Sequence, residues 1–236
     1  MTLEKVKFDL QKYHSETVKI RKTHHISTSN TELLHIVIAW LAISFAFAIL
    51  LFWFNWNRRP EFNEILDDLA GPFLISCITV GLSFLIHEMS HKFVAQRYGF
   101  WAEFRMDTSM LFLMLFLVYE FGILFAAPGA VMIYGGNIGR RENGRISLSG
   151  PLSNLVLCAA FLLLLSEPQG VIHDIGRIGV LINVTLALFN MIPFCQFDGK
   201  KVWAWNKPIY ILFVIAAAIL LILSITLWMP QKEFLM

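Results

Sequence analysis

The chain has 236 residues, 57% of them hydrophobic and 15% charged, with a mean hydropathy of +0.63. Soluble domains average about 45–50% apolar and about 25% charged residues, so the composition excludes an ordinary soluble domain and points to an integral membrane protein. The net charge of +2, with no basic patch interleaved with aromatics, excludes a nucleic-acid binder.

Residues 1–32 form a polar N-terminal tail without the apolar run of a cleavable signal peptide, so the first apolar segment is expected to serve as an uncleaved anchor. Val6, Phe8 and Leu10 alternate with Lys5, Lys7 and Asp9, and Val18 and Ile20 repeat the pattern more weakly. This predicts a small strand or edge-paired hairpin at the membrane surface. His24 and His25 have no further ligand nearby and read as solvated. Ser29-Asn-Thr-Glu32 matches a capping box ahead of an apolar run. A first span over 33–54 follows, enough to cross a hydrocarbon core of about 30 Å, with Trp53 and Trp56 as interfacial aromatics at its far end. Its external loop reaches residue 70.

A second span over 71–96 carries the sequence LIHEMSHKF at 85–93. The next apolar segment, 109–131, is interrupted by Glu120, Gly122 and Pro128-Gly129. Further spans are expected over 150–165, 175–194 and 208–229. Cys77, Cys158 and Cys195 fall in apolar segments without C-x-x-C spacing and read as small buried hydrophobes, not as a disulfide framework.

The placement of Lys and Arg sets the expected orientation. Lys5, Lys7, Lys12, Lys19, Arg21 and Lys22 put the N-terminus in the cytoplasm. The acid-rich 55–70 loop goes outside. Lys92, Arg97 and Arg105 bring 92–107 back inside, and Arg140, Arg141 and Arg145 do the same for 136–148. Lys200, Lys201 and Lys207 place the end of the fifth span inside. Two cytoplasmic flanks around 109–131 leave too few residues to cross twice, since one crossing takes about 20. The segment is therefore expected to be re-entrant, bent at Pro128-Gly129, and packed beside a wet cavity. The fold class expected is an all-α polytopic membrane protein with five to six transmembrane helices. Its parts are the tail (1–32), the first helix and loop (33–70), a core (71–205) and a last helix with the C-terminal tail (206–236).

His87 and His91 are i and i+4 on one helical face, so both imidazoles can grip one metal ion. Glu88, on an adjacent face, can reach a water that zinc has made acidic and take its proton. An apolar helix has strong reason to exclude three such residues, because ionisable groups in a span are costly and usually functional. A catalytic zinc site usually has three protein ligands. Asp198, beyond the helix-ending Pro193, would lie at a similar depth to His87. Cys195 is a rival third ligand.

Three motifs in order carry a family resemblance: His87-Glu88-Met-Ser-His91, Gly150-Pro151-Leu-Ser-Asn154, and Asn190-Met-Ile-Pro193-Phe-Cys-Gln-Phe197-Asp198-Gly199. Together with Ala127-Pro128-Gly129-Ala130-Val131 they resemble the site-2 protease family of intramembrane zinc proteases, over residues 71–205. Phe197 stands where that family usually has Leu. The chain resembles compact members without PDZ or CBS domains.

The resemblance implies His87, His91 and Asp198 as Zn2+ ligands and Glu88 as catalytic acid/base. It places Asn190 near the site, stabilising an oxyanion or holding the substrate backbone. Gly150, Asn154 and Pro193 would belong to the same cavity, with helix–helix hydrogen bonding as the structural alternative for Asn154. It also implies that 127–149 forms a membrane-associated β-hairpin that pairs with unwound substrate, and that the partners are the bilayer and a transmembrane segment of another membrane protein. The expected setting is the cell membrane, multi-pass, with the site mouth cytoplasmic. A membrane zinc transporter or metal sensor is the alternative using the same intramembrane ligands.

Overall fold

The computed structural model describes residues 27–56, 60–124, 128–166 and 169–228. The expected strands near residues 6–10 and 18–20, with His24 and His25, lie outside them. In chain order the elements are α1 (Asn30–Trp56), α2 (Phe62–Asp68), α3 (Ala70–Arg97), β1 (Trp101–Met106), α4 (Thr108–Phe121), β2 (Gly129–Tyr134), α5 (Arg140–Leu163), α6 (Val171–Asn190), α7 (Asp198–Trp205) and α8 (Lys207–Trp228). Five of these helices, α1, α3, α5, α6 and α8, are long and apolar enough to cross a membrane. The chain is thus a helical polytopic membrane protein, with one small sheet among the described residues.

The start of α1 half-fulfils its capping box. Ser29 Oγ accepts the Glu32 N–H at 3.1 Å, but the Glu32 carboxylate does not reach back. It is fully buried and accepts from Lys92 Nζ at 2.6 Å and from the Phe104 N–H at 2.9 Å. A charge-assisted bond inside the protein outcompetes a neutral cap bond. Lys92, 1% exposed, also donates to Thr28 Oγ1 at 2.9 Å. Lys92→Met would strand the Glu32 charge in the interior, and breaking a buried pair in this way costs about 3–5 kcal/mol. The thermal midpoint in detergent micelles should fall, and a Lys92→Met/Glu32→Leu double variant should recover much of the loss.

Helix α3 contains a π-helical turn over Cys77–Gly81. Trp40 on α1 donates its Nε1–H to the Cys77 carbonyl at 3.2 Å. Gly81 sits against the same ring, where a Cβ would come within 2.6 Å of Trp40 Nε1. The wide turn rotates the face carrying His87 and His91 relative to the start of the helix. Such single-turn π-bulges gather at functional sites.

The segment expected to be re-entrant resolves into a helix and a strand. Asp107 caps α4, its Oδ1 accepting from the Ser109 and Met110 N–H groups at 2.9 and 3.1 Å. The helix has 14 residues, about 21 Å at the helical rise, short of one crossing. The chain leaves α4 at Gly122, whose φ of 64° is left-handed, and bends again at Pro128, which leads into β2. The expected hairpin over 127–149 is also corrected. Strand β2 pairs antiparallel with β1, from Trp101↔Tyr134 to Met106↔Gly129, so the partner precedes α4, and residues 140–149 are helical. Helix α5 starts ten residues before the apolar run because its first turns, rich in Arg and Asn, extend past the hydrophobic part.

Among the described residues two large apolar cores result, beside a small cluster of Ala95, Ala102 and Ile146. One joins α1, α3, β1 and α4, with Ile65 of α2 and Ile182 of α6, through residues such as Ile43, Ala46, Phe84, Phe104, Met114 and Val118. The other joins α5 to α8 through Cys158, Phe161, Val184, Ala187, Val202 and Phe213. Outward apolar residues of α8, such as Leu212 and Ile222, are exposed as a lipid-facing surface requires.

Candidate metal centre

The two cores meet at His87, His91 and Asp198. Both histidines are buried on α3, and Asp198 is buried at the first position of α7. Their Nε2 atoms lie 3.1 Å apart. Asp198 Oδ2 is 3.5 Å from His87 Nε2 and 3.1 Å from His91 Nε2. Tetrahedral ligands at about 2.0–2.1 Å from zinc stand roughly 3.3 Å from one another, so these three donors have the separations one zinc ion requires. Burial pushes the Asp198 carboxyl up, but the facing imidazoles, His91 first, outweigh it and hold the group below the usual carboxylate range. Asp198 is therefore an anionic donor.

The far side of each imidazole is also bonded. His91 Nδ1 is 2.8 Å from the Ile146 carbonyl, and His87 Nδ1 is 2.5 Å from Asn154 Oδ1. Gly150 packs directly against both rings, where a Cβ would fall 2.6 Å from His87 Nε2. This explains why Gly150 and Asn154 stand one helical turn apart on α5: the glycine admits the imidazoles and the amide holds one of them.

Glu88, His87, His91, Asn190, Cys195 and Asp198 line one cavity of about 890 Å³. Apolar residues of α1 and α6, among them Ile43, Phe47, Ile182 and Phe189, form its other walls. Glu88 Oε2 accepts the Val131 N–H of β2 at 3.0 Å. Asn190 Nδ2 donates to the Leu186 carbonyl at 3.0 Å. The rival ligand Cys195 lies on the cavity wall, exposed and with φ 50°, outside the three-donor group. Pro193 is exposed in the turn between α6 and α7 and is not among the lining residues.

Strand β2 presents an edge to this cavity. Phe104 and Val131 face each other in the ladder, and both N–H groups turn outward, to Glu32 and Glu88 respectively. The outer edge of β1 is covered: Gln96 Nε2 donates to the Ala102 carbonyl at 2.9 Å, and the Met106 N–H points at His35 Nδ1 at 3.4 Å. On β2, Gly129, Val131 and Ile133 line the cavity.

Two residues were not singled out for the site by sequence reasoning. Lys201, used there only to set orientation, places its Nζ 3.8 Å from Asp198 Oδ1 on the cavity wall. Asn183 is fully buried on α6 and accepts from Asn154 Nδ2 at 3.0 Å. The available signal for Asn183 was an amide in an apolar run, seven residues and two helical turns before Asn190.

Comparison with known proteins agrees with this geometry. The chain is 40% identical over 184 residues to "Putative zinc metalloprotease MJ0611" of Methanocaldococcus jannaschii, covering 77% of this chain and 88% of that protein. It is 29% identical over 153 residues to "Putative zinc metalloprotease YwhC" of Bacillus subtilis, covering 56% and 67%. No protein-family model and no solved structure matches it. Identity at this level across most of both chains, with a donor set spaced for zinc, means that this protein belongs to the zinc metalloprotease family of its archaeal relative.

Proposed function

We propose that the protein is an intramembrane endopeptidase of the site-2 protease type, hydrolysing peptide bonds within transmembrane segments of other membrane proteins. The observation that carries this reading is one cavity, walled by membrane-length helices, holding the three donors, the Glu88 carboxylate and a strand edge together.

His87, His91 and Asp198 would hold zinc, which when bound would supply Lewis acidity and acidify a water. Glu88, in the same cavity, is placed to take a proton from the attacking water and to deliver it to the leaving amine. Its hydrogen bond to Val131 ties the acid/base to β2. A substrate segment that unwinds loses its internal hydrogen bonds, and the outward groups of β2 can replace them by strand addition. A scissile bond aligned on that edge is thereby aligned with Glu88. Asn190 keeps a second amide hydrogen that it can give to a substrate carbonyl.

Arg97 ends α3, Arg140 and Arg141 start α5, Lys200 lies on α7 two residues after Asp198 and Lys207 starts α8, while Glu61, Glu64, Asp67 and Asp68 lie between α1 and α3. By the bias of basic residues toward the cytoplasm, the site mouth and the N-terminus face inside.

The test is the zinc-loaded protein in liposomes with single-span substrates. Products should map by mass spectrometry to bonds inside the span. Replacing Gly, Pro or Asn in the substrate span by Leu should slow cleavage, because the helix must open first. Equal rates across that series would sink the unwinding step. No cleavage together with zinc entry into the liposomes would favour a transporter.

A further inference from the structure

The amide of Asn154 can face His87 in either of two ways. With Oδ1 toward the ring it accepts a hydrogen from Nδ1 and leaves Nε2 with its lone pair toward Asp198. With the NH2 group toward the ring it forces Nδ1 to be the acceptor, which puts the hydrogen on Nε2, where a metal must bind. Asn154 alone does not decide between them.

The decision is made one residue further away. Asn183 Nδ2 lies 2.8 Å from the Gly179 carbonyl of its own helix. A carbonyl oxygen can only accept, so this end of Asn183 must be its NH2 and the other end its oxygen. That oxygen, 3.0 Å from Asn154, requires the NH2 of Asn154 to face it. Asn154 then has only its oxygen left for His87 Nδ1, at 2.5 Å. Both asparagines are fully buried, so no solvent can satisfy a flipped amide. The backbone of α6 thus sets the tautomer of a metal ligand on α3 through two side chains. His91 needs no such chain, because its Nδ1 meets the Ile146 carbonyl directly.

We infer that Asn183 is a positioning residue of the metal centre, fixing the orientation of the Asn154 amide and through it the metal-binding tautomer of His87. The inference rests on the metal site and not on the substrate. Zinc affinity is read without turnover, so its failure and that of the protease reading are separable.

The experiment measures the zinc Kd of the full chain in detergent micelles by competition with a chelator. Asn183→Leu leaves Asn154 free to flip, and affinity should fall by about 10–100-fold, as for loss of other outer partners of ligating histidines. The decisive comparison is the same substitution in an Asn154→Asp background. A carboxylate has no wrong end, so it accepts from His87 Nδ1 whatever stands at 183. There, the Asn183 oxygen would face a second acceptor, so Asn183→Leu should leave the zinc Kd within about 3-fold or tighten it, in contrast to the loss expected for a lost outer partner. Equal losses in both backgrounds would make Asn183 a packing residue of α5 and α6 and overturn the inference. An unchanged Kd for Asn183→Leu alone would overturn it too.

Discussion

Glu88→Gln is expected to lower peptide-bond hydrolysis by about 10²–10⁴-fold, the usual contribution of a general acid–base group, while zinc content stays at one ion per chain. The amide is the informative replacement. Its oxygen can still accept the Val131 N–H that Glu88 Oε2 accepts now, so β2 keeps its place and only the proton carrier is lost. Alanine would remove both and confound them. Single-turnover cleavage in liposomes, with zinc measured on the same sample, gives the two readings. A variant within about 10-fold of the wild-type rate would fall outside the range expected for a lost acid–base group and exclude Glu88 from that role.

Gly150→Ala is expected to cost zinc binding by about 100-fold or more, above the range for loss of an outer partner. The added methyl would stand 2.6 Å from His87 Nε2, among the donor atoms themselves. The local helix is not the victim, since alanine is the better helix former by about 1 kcal/mol. The signature is therefore a protein of unchanged helical content with little zinc. Circular dichroism and metal analysis of one preparation test it, and a variant that keeps one tight zinc would refute the packing argument.

What could be read from the sequence follows how local each cause is. His87, Glu88 and His91 were legible because the period of a single helix sets their relation. Asp198 was reachable only as a residue near a span end, with Cys195 left as a rival, because the turn between Pro193 and Asp198 decides which of them faces the histidines. The span count came from length and hydropathy, while the start of α5 was missed because its polar first turns carry no hydropathy signal. Strand β1 was missed for a different reason. WAEFRM has weak alternation, and its partner lies beyond all of α4, so only the register reveals the pair. The Glu32 carboxylate obeyed a tertiary partner, Lys92, over the local capping rule. Asn183 resembled any amide joining two helices until its partners could be traced.

The two histidine donors lie on α3, which packs in the first core, and the aspartate lies on α7, which packs in the second. The first core takes Ile182 from α6 and the aspartate sits on α7, so the metal centre exists only once these later helices have docked. The aspartate lies in the later part of the chain, so a half-synthesised protein holds a histidine pair with no third donor. The donor set is therefore complete only after α7 has been made, and zinc binding would mark the end of that assembly.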